Sequence, residues 1–126
     1  VMMGLDVTHK VNVNDQIIKS IEKNNNQASK FFADLMKFYS KFHRKLYGTE
    51  DTPLHDPCVI AYLIDSSIFE GKFVNVTVEE DSPLTRGETV VDWWGVSNRI
   101  PNCQVMIKAD HNSFFSLLSK ELKKLN

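Results

Sequence analysis

The sequence predicts an α/β layer structure, and three observations carry that prediction. Residues 72–80 (KFVNVTVEE) and 102–109 alternate apolar and polar side chains, the period of half-buried strands. Between Ala28 and Tyr47 the apolar residues instead recur at spacings of three and four, the period of a helix. Strand-like and helix-like segments follow one another in mixed order along 126 residues. That length suits one domain burying roughly two-thirds of its unfolded surface. The sequence shows no internal repeat and no second domain.

Taken in order, Val1–Val7 reads as a short strand ending near Thr8-His9. Asn14 is placed to cap a helix running to about Lys23, with Ile17, Ile18 and Ile21 on one face. Asn24, Asn25 and Asn26 form a polar break. The long helix Ala28–Tyr47 presents Phe31, Phe32, Leu35, Met36, Tyr39, Phe42 and Leu46 as its buried face, and Gly48 stops it. Beside that face lies a second stripe, Tyr39, His43 and Tyr47, four residues apart each time. Residues 49–53 read as loop. The next helix, Cys58–Ile64, carries hardly any polar residue, so burial on most sides is expected. In the strand 72–80, Val74, Val76 and Val78 share the inner face. A turn over 81–87 and a return strand over 88–94 make a hairpin. A further strand over 102–109 runs through Cys103, Val105 and Ile107. The last helix, 112–125, is expected to bury Phe114, Phe115, Leu118, Leu122 and Leu125.

Composition excludes several function classes. A formal net charge of -1 with 42% apolar residues argues against nucleic acid as a partner, because a binder would show a basic face. The clusters Lys41–Lys45 and Lys120–Lys124 sit at predicted helix C-termini, where cations complement the helix dipole. No run approaches the ~20 apolar residues of a membrane span. VMMGLDVTHK lacks the basic start and apolar run of a signal peptide, which points to a cytoplasmic protein. The chain opens on Val1, directly in strand-like sequence, as expected of a segment cut from a longer protein. Cys58 and Cys103 both lie in apolar surroundings and read as reduced core thiols. No Cys or His spacing suits structural zinc. The sequon at Asn75 falls inside a strand and reads as accidental.

One short stretch carries chemistry. In PLHDPCVIAYLID, from Pro53 to Asp65, His55 and Asp56 precede a proline and an apolar helix. An Asp just before a helix-starting Pro is a strong N-cap, its carboxylate accepting free N–H groups. Alternatively, Asp56 offers oxygens to a ligand or hard cation while His55 supplies a proton near neutral pH. Both roles are compatible, since one oxygen can cap while the other coordinates. Local chemistry leaves the choice open.

The wider context narrows it. PLHDPCVIAYLID, then VEEDSPLTRGETVVDWWG, then IPNCQVMIKAD before a Phe-Phe helix, resembles the C-terminal half of the calcium-dependent nucleoside hydrolases of inosine-uridine preferring type. The opening GLDVTHK resembles another segment of that family. The resemblance implies the C-terminal portion of an open mixed sheet with flanking helices, in which residues 1–126 form part of one domain. It also implies cleavage of the N-glycosidic bond of ribonucleosides, with Ca2+ holding the ribose diol and orienting a water. Carried onto this chain, Asp56 matches a carboxylate ligand of the calcium that also touches ribose hydroxyls. His55 matches the proton donor to the leaving base. Tyr39 and His43 lie on the helix that borders the base. Thr8-His9 reads as a strand end, and Asp92, Arg86, Trp93 and Trp94 as structural or interfacial. Trp93 and Trp94 cannot both face one core, so one is expected at a subunit contact of a homo-oligomer, dimer or tetramer.

Departures from the family pattern matter as much. Its aspartate-rich motif, which supplies most calcium ligands and the water-activating base, belongs to the N-terminal half and is not in this sequence. One carboxylate cannot hold Ca2+, which needs six to eight oxygens. The sequence therefore predicts one wall of an active site, inactive alone, with exposed apolar surface where the N-terminal half packs. The competing reading is a non-catalytic nucleoside-binding or assembly subunit that keeps the fold. An ester hydrolase using His55 as base lacks a nucleophile turn such as Gly-x-Ser-x-Gly.

Overall fold

The computed structural model describes residues 1–50 and 52–125; Asp51, within the expected 49–53 loop, lies outside them. The chain orders as helix α1 (Leu5–Thr8), strand β1 (Asn12–Val13), helices α2 (Asp15–Glu22) and α3 (Gln27–Tyr47), and strand β2 (Thr52–Pro53). Helix α4 (Asp56–Ile64), a 3-10 turn (Ser66–Ile68), strands β3 (Phe69–Val78), β4 (Thr89–Asp92) and β5 (Cys103–Ala109), and helix α5 (His111–Lys123) follow.

The predicted first strand shrinks to one residue. Met2 alone forms a parallel bridge to β5, its N–H donating to the Gln104 carbonyl at 2.8 Å and its carbonyl accepting from Met106 N–H at 3.0 Å. Gly4 then starts the one-turn helix α1, with Asp6 in its first turn beside free N–H groups. VMMGLDV never alternates, so nothing local holds it extended. Val7 and Thr8 end up buried.

Helix α2 starts as predicted, with Asn14 accepting from Ile17 N–H at 3.0 Å and Ile18 and Ile21 buried. The asparagine run is a joint as well as a break. Asn25 takes a left-handed φ of 57°. Asn26 caps α3 by accepting from Ser29 N–H at 2.9 Å, and its amide donates to the Leu122 carbonyl at 2.7 Å and to that of Leu125. One side chain thus ties the start of α3 to the end of α5. Gly48 closes α3 with φ 68°, the left-handed stop predicted for it.

The orientation of α3 corrects the prediction. Its buried residues are Ser29, Ala33, Met36 and Ser40, a stripe of mostly small side chains against which α2 and β2 pack. Of the predicted buried face only Met36 is buried, with Phe32 and Tyr39 partly so. Phe31, Leu35, Phe42 and Leu46 are exposed, as is Phe38 at 74%. Helix α4 repeats the pattern: Cys58 and Ala61 face the core, while Val59, Ile60, Leu63 and Ile64 are exposed rather than buried on most sides. Small residues allow close approach within this chain, so they win the inner face over the larger apolar ones.

The three-stranded sheet is ordered β4-β3-β5, antiparallel throughout. The hairpin forms where expected, Val76 facing Val91. Burial fades along β3, from Val74 at 4% exposure to Val78 at 50%, because the hairpin reaches beyond the core. Asp92 organises the following turn, accepting from Val96 N–H, Ser97 N–H and the Ser97 hydroxyl, which hold its carboxyl below the ordinary range. Trp94 stands 86% exposed. The Asn75 amide is engaged, donating to the Ile100 carbonyl at 2.8 Å.

The register of β3 on β5 shifts between Glu70 and Gly71. A Cβ at Gly71 would lie 2.4 Å from the Val105 carbonyl oxygen and 2.8 Å from the Met106 sulfur. The sulfur can move; the strand backbone cannot without losing ladder bonds. Gly71→Ala is therefore expected to cost about 1–3 kcal/mol through overpacking, read as a lower urea midpoint at unchanged slope.

Asp110 caps α5 through Ser113, and Phe114 and Phe115 sit in the core with Val7, Val11, Val13, Ile18 and Ile21. Leu118 and Leu122 pack partly, whereas Leu125 lies beyond the helix and is exposed. Of the basic clusters, Arg44 pairs with Asp15 at 3.1 Å and Lys124 with Glu121 at 2.6 Å. Both cysteines are free thiols, and burial pushes the Cys58 thiol up to about 11, which keeps it protonated. Among the described residues no helix is long and apolar enough to cross a membrane.

Candidate active site

Two chain segments distant in sequence meet at the site. β1 pairs antiparallel with β2, Val13 facing Thr52 and Asn12 facing Pro53, and Leu54 N–H donates to the Val11 carbonyl at 2.9 Å. This short ribbon fixes the end of α1 beside the start of α4. Thr52 anchors it below, its hydroxyl donating to Ser40 of α3 at 3.1 Å in the interior.

Here the Thr8 hydroxyl lies 2.8 Å from Nδ1 of His55. The His9 ring stands 5.4 Å from the His55 ring, tilted by 50°. His55 is half-buried, and burial pushes its pKa below the ordinary imidazole value. The neighbouring His9 pushes the same way, and Asp56 opposes both.

Along α3 the second stripe forms a ladder of rings. Tyr39 and His43 are 6.0 Å apart, and His43 and Tyr47 4.6 Å. Nδ1 of His43 is buried without a hydrogen-bond partner among the described residues. The ladder and the His9 and His55 rings line one open cavity of about 530 Å³, shared with Leu5, Asn12, Thr49 and Pro53. The structure thus brings His55, Tyr39 and His43 together.

Asp56 is placed differently from the prediction. It is the first residue of α4, not its cap; His55 holds the cap position with helical angles, φ -74° and ψ -66°. A capping side chain needs an extended backbone, so neither residue caps. The Asp56 carboxylate is exposed and accepts no hydrogen bond among the described residues. It borders a neighbouring apolar groove of about 350 Å³ with Ile60, Phe114 and Leu118, not the His55 cavity. Its oxygens are free for a ligand near the positive end of α4. No group of three or more His, Cys, Asp or Glu among the described residues could hold a metal ion. A calcium ion wants six to eight oxygens, so these residues do not make a cation site unaided.

The family model of the inosine-uridine preferring nucleoside hydrolases matches residues 1–116. The chain belongs to that family. Among curated nucleoside hydrolases, it is 38% identical over 124 residues to the pyrimidine-specific ribonucleoside hydrolase RihA of Salmonella schwarzengrund, covering 98% of this chain and 40% of the relative. It is 36% identical over 124 residues to Escherichia coli RihA, with the same coverage. The structure resembles the purine-preferring ribonucleoside hydrolase from Gardnerella vaginalis, with a TM-score of 0.80 and 28% identity over 97% of this chain and 39% of that one. A plant nucleoside hydrolase at 24% identity shares the fold, with a TM-score of 0.78 over 95% of this chain and 40% of that one. The chain therefore spans about 40% of the length of the curated relatives it matches.

As a nucleoside hydrolase chain, it shows the α/β fold class that the sequence predicts, with its ladders antiparallel and Met2 alone bridging in parallel. Two residues of the site were missed in the sequence. Thr8 and His9, read as a strand end, both meet His55, Thr8 from behind its ring and His9 within the cavity lining. Their signal was available: GLDVTHK is among the segments that carry the resemblance, and a hydroxyl beside a histidine is unusual where Val7 and Val11 build the core.

Proposed function

We propose that this chain forms one wall of an active site that hydrolyses the N-glycosidic bond of ribonucleosides, releasing ribose and free base. The observation that carries the reading is the half-buried His55, facing a cavity walled by a ladder of tilted aromatic rings. Such a cavity suits a planar heterocycle, whose π-faces stack on Tyr and His. In this reaction the C1′–N bond breaks, a C1′–O bond to water forms, and the departing nitrogen base takes a proton. His55, as the imidazolium, delivers that proton from Nε2 and is left as the neutral ring with its proton on Nδ1. Tyr39 and His43 contact the base. Asp56 offers its free carboxylate to ribose hydroxyls and would be one ligand of a Ca2+ ion whose other ligands these residues do not supply.

The remaining calcium ligands and the water-activating base would come from the N-terminal half of the same domain. Support for that comes from the exposed faces of α3 and α4, where Phe31, Leu35, Phe38, Ile60 and Leu63 form apolar surface of the kind another segment covers. A homo-oligomer, dimer or tetramer, is part of the reading, with the exposed Trp94 as the candidate contact.

Ribose release from inosine and from uridine by the full-length protein tests the proposal. Release is expected, abolished by a calcium chelator and restored by added Ca2+. Both substrates are needed, because one named relative is pyrimidine-specific and another purine-preferring. Calcium-replete full-length protein that releases ribose from neither would leave the non-catalytic subunit as the better reading.

A further inference from the structure

The Thr8 hydroxyl is a buried polar group that the reaction above does not yet use. Thr8 is 2% exposed, and its hydroxyl has one partner among the described residues, Nδ1 of His55 at 2.8 Å. Two arrangements fit that distance. If neutral Nδ1 carried the proton and donated to Oγ1, the hydroxyl proton of Thr8 would be buried with no acceptor. If the hydroxyl donates to Nδ1, both groups of the pair are satisfied. Unsatisfied buried donors cost enough to decide between the two. The neutral ring is therefore the tautomer with its proton on Nε2. In the charged ring Nδ1–H donates to Oγ1 instead, at the cost of the hydroxyl proton's acceptor, and Nε2 keeps its proton.

The direction of the ring follows from the same contact. Thr8 takes no part in lining the cavity, while His55 does. Nδ1 thus points into the protein and Nε2 toward the cavity. We infer that Thr8 is a positioning residue: its hydroxyl holds Nδ1 inward in both charge states, so that Nε2 faces the cavity, protonated at rest and, in the charged ring, able to give up its proton while Nδ1–H stays on Oγ1. This rests on the reading of His55 as the proton donor. The ribbon of β1 and β2 supplies the rigidity, because Thr8 and His55 are otherwise 47 residues apart.

Two readouts on the full-length protein test the inference. The first is the imidazole ¹⁵N spectrum above the His55 titration, with the His55 signals identified by their loss in His55→Gln. The wild type is expected to show Nδ1 unprotonated and Nε2 protonated, and Thr8→Val a mixture of tautomers. The second compares a nucleoside with 4-nitrophenyl β-D-riboside, whose leaving group departs as a stable anion and needs no proton. Thr8→Val is expected to lower kcat for the nucleoside by roughly tenfold or more, the scale of groups that orient a functional imidazole. The nitrophenyl riboside should change by less than about twofold, and Thr8→Ser, which keeps the hydroxyl, should recover most of the loss. An unchanged His55 spectrum in Thr8→Val overturns the inference, and so does an equal loss on both substrates, which marks a purely structural role. A wild-type protein that releases no ribose from any nucleoside overturns the functional reading instead, and the spectrum then decides the Thr8 lock separately.

Discussion

His55→Ala in the full-length protein lowers kcat for ribose release from inosine or uridine by about 10²–10⁴, the usual contribution of one placed proton donor. The argument starts from the leaving group. A ribosyl cation forms easily only if the departing nitrogen can bear the electron pair it takes, and a proton delivered there lowers that barrier. Among the described residues, His55 is the histidine in this cavity held at one nitrogen by a side chain and free at the other. His9 lies beside it without such a hold, and His43 belongs to the ring ladder of α3. KM should move much less than kcat, because stacking on Tyr39 and His43 remains. An interaction made mainly in the transition state has that kinetic signature. Loss of less than about threefold, in a variant shown to be folded, would be too small for proton donation. The proton would then have to come from His9, His43 or solvent.

How far this site could be read from the sequence depends on the range of the forces that build it. Local chemistry was legible. The Asn14 cap, the Gly48 stop, the hairpin around β3 and β4, and the ladder Tyr39, His43, Tyr47 all follow from neighbours within a turn or a short loop. The inner face of α3 was not, because two stripes competed and periodicity cannot say which finds a partner. The phenylalanine stripe has the greater apolar area, yet Ser29, Ala33 and Ser40 permit the close approach of α2 and β2. Asp56 as a cap failed for a related reason. The sequence pattern was right for a helix start, but His55 already takes helical angles, which puts Asp56 inside the first turn. The contact between Thr8 and His55 spans 47 residues, so the GLDVTHK segment marks Thr8 only by resemblance and says nothing of its partner.

Phe114→Ala is the substitution expected to cost most stability, about 3–5 kcal/mol for a large ring removed from a closed core. Phe114 is 1% exposed and meets Phe115 edge-on at 5.1 Å. Its side chain also reaches the groove beside Ala61 and Asp56, so it backs the helix on which the candidate site begins. The site cannot collapse to fill the gap. Asp110 pins the start of α5, Asn26 pins its end, and His111 bonds the Asn12 carbonyl at 2.9 Å. A core held at so many points leaves a cavity rather than relaxing, which places the cost at the upper part of the range. Against a total stability of about 5–15 kcal/mol, that is a large fraction. The urea midpoint should fall steeply at unchanged slope, while kcat of the folded fraction stays within about threefold, because no atom of Phe114 lines the His55 cavity. A small shift of the midpoint would mean that α5 can move inward after all. In that case kcat should fall with it, since α4 and His55 would travel with the collapsing core.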